Sequence, residues 1–104
     1  ALGNPGYVSS KSAILGLTRA LANDYGSKNI RVNSISLGYF KTPMTLKSYK
    51  LKKSRKKINS KMIINRWGEP KDLFGLVEYL ISERAGYITG QDFVVDNGWL
   101  AKGL

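Results

Sequence analysis

The residues best suited to chemistry lie near the start of the chain, where Tyr7 and Lys11 in the run Tyr7-Val8-Ser9-Ser10-Lys11 stand four apart. If the segment is helical, they share a face and a phenol becomes the neighbour of an ammonium. A free Tyr ionises near pH 10. Bringing it to neutrality takes about 3 pKa units, or roughly 4 kcal/mol of preferential stabilisation of the phenolate, and a fixed cation alongside supplies part of that. The chain has no His and no Cys. Imidazole acid–base catalysis, thiolate chemistry, disulfides and zinc fingers are therefore excluded, and proton transfer is left to Tyr, Lys, Ser, Thr, Asp or Glu. Taken alone, a Tyr four residues before a Lys occurs in many helices and marks no site.

Other polar and aromatic residues read as structural. Arg66, just before Gly68 and Pro70, is expected to clamp the following helix rather than bind a substrate. Asp96 is expected to accept hydrogen bonds from turn amides. Trp67, Trp99 and Tyr87 are expected to be core or interface aromatics rather than platforms for stacked bases.

The elements that must position these residues follow from periodicity. From Pro5 to Tyr25 the residues Ala13, Leu17, Ala20 and Leu21 recur at helical spacing, with Asn4 and Pro5 as cap and first helical residue and Gly26 as the stop. Ser9, Ser10, Ala13, Gly16 and Ala20 give that helix a small-residue face suited to close packing. Ile30-Arg31-Val32-Asn33-Ser34-Ile35-Ser36-Leu37, short, β-branched and ending at Gly38, predicts a strand largely covered by helices. Residues 42–64 open on Thr42 and Pro43, but Met44, Leu46, Leu51, Ile58 and Met62 make a ragged stripe, which predicts an interrupted helix. Glu69-Pro70 opens a cleaner helix, expected to be well packed, with Leu73, Leu76, Val77, Leu80 and Ile81 on one face. After the turn-rich Tyr87-Ile88-Thr89-Gly90, Asp92-Phe93-Val94-Val95-Asp96 predicts a second strand closed by Asn97-Gly98. Two strands joined through helices normally run parallel, in a right-handed crossover.

With 104 residues, 42% apolar and 23% charged, the chain has the mix of one small globular domain rather than a disordered tail. No apolar run approaches the roughly 18 residues of a membrane helix, and the opening Ala-Leu-Gly-Asn-Pro-Gly has neither a basic leader nor Met. The expectation is a soluble, cytoplasmic chain that need not be complete. The net charge of +10 invites a nucleic-acid reading, but its distribution argues against one. Residues 41–61 hold nine basic residues (Lys41, Lys47, Lys50, Lys52, Lys53, Arg55, Lys56, Lys57, Lys61) and no acidic one. Elsewhere eight basic residues face seven acidic ones. The run is most simply a solvated face.

Context gives Tyr7 and Lys11 their weight. After them come, in order, Arg31-Val32-Asn33, Gly38, Thr42 and Met44, Arg66-Trp67-Gly68-Glu69-Pro70, Tyr87-Ile88-Thr89-Gly90-Gln91 and Val95-Asp96-Asn97-Gly98-Trp99. This series resembles the C-terminal part of a short-chain dehydrogenase/reductase, from the active-site helix to near the end, over essentially the whole chain. The resemblance implies an α/β fold: the last two strands of a Rossmann-type doubly wound parallel sheet with their flanking helices. Residues 1–104 would be the C-terminal portion of one NAD(P)-binding domain, and 42–64 its variable, basic substrate lid.

The resemblance further implies an NAD- or NADP-dependent oxidoreductase that transfers hydride between nicotinamide and a carbonyl or alcohol substrate. Tyr7 would be the general acid or base. Lys11 would hold the nicotinamide ribose hydroxyls and lower the pKa of Tyr7. The backbone around Gly38 and Phe40 would lie along the nicotinamide, and Thr42 would approach its carboxamide or the nearby phosphates. Leu37-Gly38 stands where the family usually has Pro-Gly, and Asn97-Gly98 where it usually has Gly-Gly, a mild change since Asn tolerates positive φ. The glycine-rich phosphate turn, the Asn-Asn-Ala-Gly type segment and the substrate-polarising Ser of the family are expected before Tyr7 and are absent here. The chain is thus expected to be the C-terminal part of a longer enzyme, inactive alone and homodimeric or homotetrameric when whole, acting on a small substrate that a cationic lid would favour as an anion. The alternative is a non-enzymatic basic module that binds an anionic polymer through residues 41–61.

Overall fold

The computed structural model describes residues 5–43 and 45–102, with the side chains of residues 5–8 and Ser48 outside that description. Asn4, expected as a cap, and Met44 lie outside the described residues. Helix α1 spans Pro5–Tyr25, the bounds that Pro5 and Gly26 predict. A 3-10 turn, Gly26–Lys28, follows and ends on Asn29 at φ 61. Strand β1 is Ser34–Leu37, then come α2 (Leu46–Lys50), α3 (Lys52–Asn59), a 3-10 turn at Pro70–Leu73, α4 (Phe74–Ile81), a 3-10 turn at Glu83–Ala85, β2 (Asp92–Val95) and α5 (Trp99–Lys102). The expected interruption of residues 42–64 falls at Leu51, whose extended backbone separates α2 from α3.

β1 pairs with β2. Ser34 N–H donates to Gln91 O at 2.9 Å and Gly38 N–H to Val95 O at 3.0 Å, at the same sequence offset, so the strands are parallel. β1 is shorter than the expected Ile30–Leu37. At its start, ladder bonds give way to other partners: Val32 N–H donates to Thr89 Oγ1 (3.0 Å), and Val32 O accepts from Gly90 N–H (2.7 Å). The amide of Asn33 binds Ile88 O and Gln91 N–H, both at 3.1 Å. Nor is the strand largely covered, since Leu37 at its end is exposed.

The chain forms two compact units, Ala1–Ile35 with Leu80–Phe93, and Ser36–Tyr79 with Val94–Leu104. In the first, Thr18, Ala22 and Ala85 are buried, and Thr18 returns its hydroxyl to Ile14 O at 2.8 Å. Arg31 ties the unit together. Its guanidinium donates to the carbonyls of Leu80 (3.0 Å), Ser82 (3.1 Å), Ala85 (2.8 Å) and Ile88 (3.5 Å), bringing a cation to the C-terminal end of α4, where the helix dipole favours one. In the second unit Met62, Trp67 and Phe40 form the core, at 1%, 2% and 6% exposure.

One packing expectation is corrected. The face of α4 is only partly covered, with Val77 and Ile81 exposed, the latter at 77%. Tyr87, on the turn that follows Gly86, lies outside the core of the described residues and is fully exposed.

Candidate active site

The sequence-predicted residues fall in both units. Tyr7 and Lys11 belong to the first, on α1, whose unbroken helix from Pro5 to Tyr25 keeps the four-residue spacing on one face. The Tyr7 side chain lies outside the described residues, and Lys11 is half-buried. Gly38, Phe40 and Thr42 belong to the second, in the segment that leaves β1.

In that segment Gly38 is required by packing. A Cβ there would lie 2.8 Å from Asp96 Cα, part of a backbone that cannot swing aside. Phe40 turns its ring inward over Gly68, where a Cβ would sit 2.7 Å from the ring, and its backbone runs parallel to Gly68. Lys41 N–H donates to Gly68 O (2.8 Å), and Gly68 N–H to Tyr39 O (2.9 Å). Thr42 O accepts from Thr45 N–H (3.0 Å) and Leu46 N–H (2.8 Å) at the entry to α2. The hydroxyls of Thr42 and Thr45 are 3.2 Å apart, and that of Thr45 donates to Phe40 O. The hydroxyl network thus ties Phe40, Thr42 and Thr45 together at the entry to α2.

The structural readings of Arg66 and Asp96 agree with the geometry. Arg66 makes a two-pronged pair with Asp72, Nη1 to Oδ2 and Nη2 to Oδ1, each at 2.9 Å, and Asp72 Oδ2 also accepts from Glu69 N–H at 2.8 Å. The guanidinium first, then that amide, hold the Asp72 carboxyl far below the usual carboxylate range. Asp96 accepts from Gly98 N–H and Leu100 N–H, both at 3.0 Å.

The basic run divides. Lys47, Lys50, Lys52, Lys53, Lys56, Lys57 and Lys61 are exposed, as a solvated face would be, whereas Lys41 and Arg55 are half-buried. Those two meet Tyr49: Lys41 Nζ is 4.4 Å and the Arg55 guanidinium carbon 5.3 Å from its ring centre. The Lys41 ammonium, bonded to the phenol, draws the Tyr49 pKa below its ordinary value, and the phenol in turn raises that of Lys41. Tyr49 also meets Trp67 edge-on, with centroids 5.4 Å apart. Sequence reasoning missed Tyr49, although it is the only aromatic among residues 41–61, and it gave Arg31 a place in the series of motifs but no role.

Two shallow clefts open in the second unit. One, about 250 Å³, lies between Tyr39, Arg66 and Asp96. The other, about 280 Å³, is walled by Lys41, Tyr49, Arg55 and Trp67. Among the described residues, no three carboxylates cluster to hold a metal ion, and no helix is long and apolar enough to cross a membrane.

Residues 2–100 match the family described as enoyl-(acyl carrier protein) reductase. A 2-dehydro-3-deoxy-D-gluconate 5-dehydrogenase from Dickeya dadantii is 41% identical over 98 residues, which are 94% of this chain and 39% of that protein. The solved structure of a 4-hydroxyisoleucine dehydrogenase complexed with NADH superposes with a TM-score of 0.86 at 45% identity, covering 91% of this chain and 39% of the other. A putative 2-deoxy-D-gluconate 3-dehydrogenase from Agrobacterium tumefaciens with bound NADP gives 0.85 at 37% identity, over 93% and 39% of the two chains. This chain spans about two fifths of the length of the curated relatives it matches.

Proposed function

The chain belongs to the short-chain dehydrogenase/reductase family, and on that premise we propose that it supplies the proton-transfer part of an NAD- or NADP-dependent oxidoreductase acting on a small carbonyl or alcohol. The observation that carries this reading is the Tyr7 and Lys11 pair on one face of an unbroken helix, in a chain so similar to a dehydrogenase bound to NADH.

The residues present suit the nicotinamide end of such a cofactor. Lys11 is only half-buried, so its three ammonium donors are available to a ribose diol. The segment 38–42 offers backbone groups and the Thr42 hydroxyl. When bound, the cofactor supplies or accepts the hydride. Tyr7 gives its phenolic proton to the substrate oxygen in reduction and takes it back in oxidation. Lys11 would hold the ribose hydroxyls and favour the phenolate, the backbone at Gly38 and Phe40 would lie along the nicotinamide, and Thr42 would hold its carboxamide or the nearby phosphates. Residues 42–64 form the lid over the substrate, and their charge favours an anionic one. The reading carries with it a cytoplasmic location and a homodimer or homotetramer assembled through α1, whose Ile14 and Leu17 are exposed. Nothing in the comparisons supports the alternative of a polyanion-binding module.

The test is Tyr7→Phe in the complete polypeptide that contains this chain. Turnover is expected to fall by about 10²- to 10⁴-fold, the range of a general acid or base, with cofactor affinity nearly unchanged. Loss of both together would make Tyr7 structural and overturn the reading.

A further inference from the structure

Residues 96–102 hold the base of the basic segment through contacts that the proton transfer above does not use. Asn97 O accepts from Ile63 N–H at 2.9 Å, and the Asn97 side chain binds Ile64 N–H and Arg66 O, both at 3.1 Å, and Ile64 O. Gly98 lies so close to the Ile63 side chain that a Cβ would overlap it. On α5, Trp99 receives Lys61, whose Nζ is 5.5 Å from the ring centre. Lys102 Nζ donates to Ser60 O at 2.9 Å and to Met62 O at 3.4 Å. An ammonium has three donors for two carbonyls, and carbonyls just past the end of a helix attract a cation.

These contacts differ in where they bear. Those of Asn97 and Gly98 secure residues 63–66, whereas Lys102 reaches the carbonyl that directly follows Asn59, the last residue of α3. Beyond that base, α2 and α3 pack on each other, no residue of α3 is buried, and Leu46 and Leu51 are exposed. Tyr49 ties α2 to Lys41 and Trp67, and Arg55 ties α3 back to Tyr49. The end of α3 is left to its base. With no buried side chain of α3 to decide its direction, a charged contact at its end weighs more than it would in a core.

We infer that Lys102 is a positioning residue, which sets the pose of residues 46–59 over the substrate by holding the carbonyls at the end of α3. The inference rests on the reading of residues 42–64 as a substrate lid and adds a residue, far along the chain, that governs it. Lys102 acts through α3 and not on the substrate itself.

Hydrogen exchange of the complete polypeptide, read peptide by peptide, tests this without substrate or cofactor. Lys102→Met is expected to speed exchange of residues 52–59 about three- to tenfold, the scale of one charge-assisted bond near the surface, with α4 unchanged. Lys102→Arg, which keeps donors and charge, should stay within about twofold of the parent. Exchange of residues 52–59 that Lys102→Met leaves unchanged would overturn the inference. So would equal acceleration in α4, which marks a general loss of stability, or an arginine variant as fast as the methionine one. Kinetics score the lid reading separately, with NAD(P)H and ethyl acetoacetate as the probe carbonyl. Lys102→Met should raise KM about threefold and change kcat less than about twofold. Faster exchange with an unchanged KM keeps the hold of Lys102 on α3 and removes the lid; unchanged exchange overturns that hold whatever the kinetics.

Discussion

Arg66 and Asp72 face each other fork to fork, with both N–H···O distances at 2.9 Å, six residues apart across the entry to the Pro70–Leu73 turn. One oxygen of the same carboxylate accepts from Glu69 N–H at 2.8 Å. A single side chain thereby satisfies a guanidinium and a backbone donor at the start of the turn that leads into α4, a use of carboxylate that planar, two-pronged geometry favours.

That pairing sets a pH dependence. The Asp72 pKa is depressed, by Arg66 first and the Glu69 amide second. A depressed folded-state pKa contributes stability that is fully present above the unfolded value of about 4 and is lost as pH falls through the folded value. The melting temperature of the complete polypeptide should therefore decline below about pH 4. Asp72→Asn should melt lower at neutral pH and decline less, so that the two curves converge in acid. Curves that stay parallel from neutral pH downward would show that Asp72 is not the group responsible.

Asn97 combines a left-handed backbone, φ 55, with side-chain bonds to residues 64–66. Its Oδ1 accepts from Ile64 N–H at 3.1 Å, and its Nδ2 donates to Ile64 O and, at 3.1 Å, to Arg66 O. Asn97→Ala loses the bonds, at about 0.5–1.5 kcal/mol each, and keeps a strained φ. Asn97→Gly loses the same bonds but relieves strain of about 1 kcal/mol. Urea unfolding of the complete polypeptide should place Asn97→Ala about 1 kcal/mol below Asn97→Gly, with both below the parent. A glycine variant as stable as the parent would mean that the side-chain bonds contribute nothing.

Lys11→Met separates binding from electrostatics at the proposed site. In the complete polypeptide it should weaken cofactor binding, because ribose contacts are lost, and raise the apparent pKa of the rate profile, because the phenolate loses its cation. A rate profile that keeps its pKa would show that Lys11 does not tune Tyr7.

Local signals were enough for some elements and could not be for others. Pro5 and Gly26 bracket α1, and the break between α2 and α3 follows from a stripe too ragged for one helix. The first half of the predicted β1 fails because Val32 and Asn33 bond to residues 88–91, partners that periodicity within one segment does not reveal. Gly38 reads locally as a strand end, yet what excludes a side chain there is Asp96, brought close by parallel pairing. The proposed site shows the same limit. Tyr7 and Lys11 can be paired in the sequence because four residues of helix relate them. Lys41 before α2, Tyr49 on α2 and Arg55 on α3 meet only once the chain has folded, so composition registers them as one more stretch of charge.

The exposed apolar surface leads to the last prediction. β1 and β2 pair with each other and with no further strand among the described residues, and two strands alone are marginal in water. On α1, Ile14 and Leu17 are more than half exposed, as are Ile81 on α4 and Phe74 at its start. A lone sheet edge and such uncovered side chains favour contact with another chain. The 104-residue polypeptide by itself should therefore sediment as oligomers or aggregates at micromolar concentration and melt without a sharp transition. The complete polypeptide should sediment as a discrete dimer or tetramer with a cooperative transition. A cooperatively folded monomer of the 104 residues would mean that they close their own core, and the expectation that they are one part of a larger sheet would have to be given up.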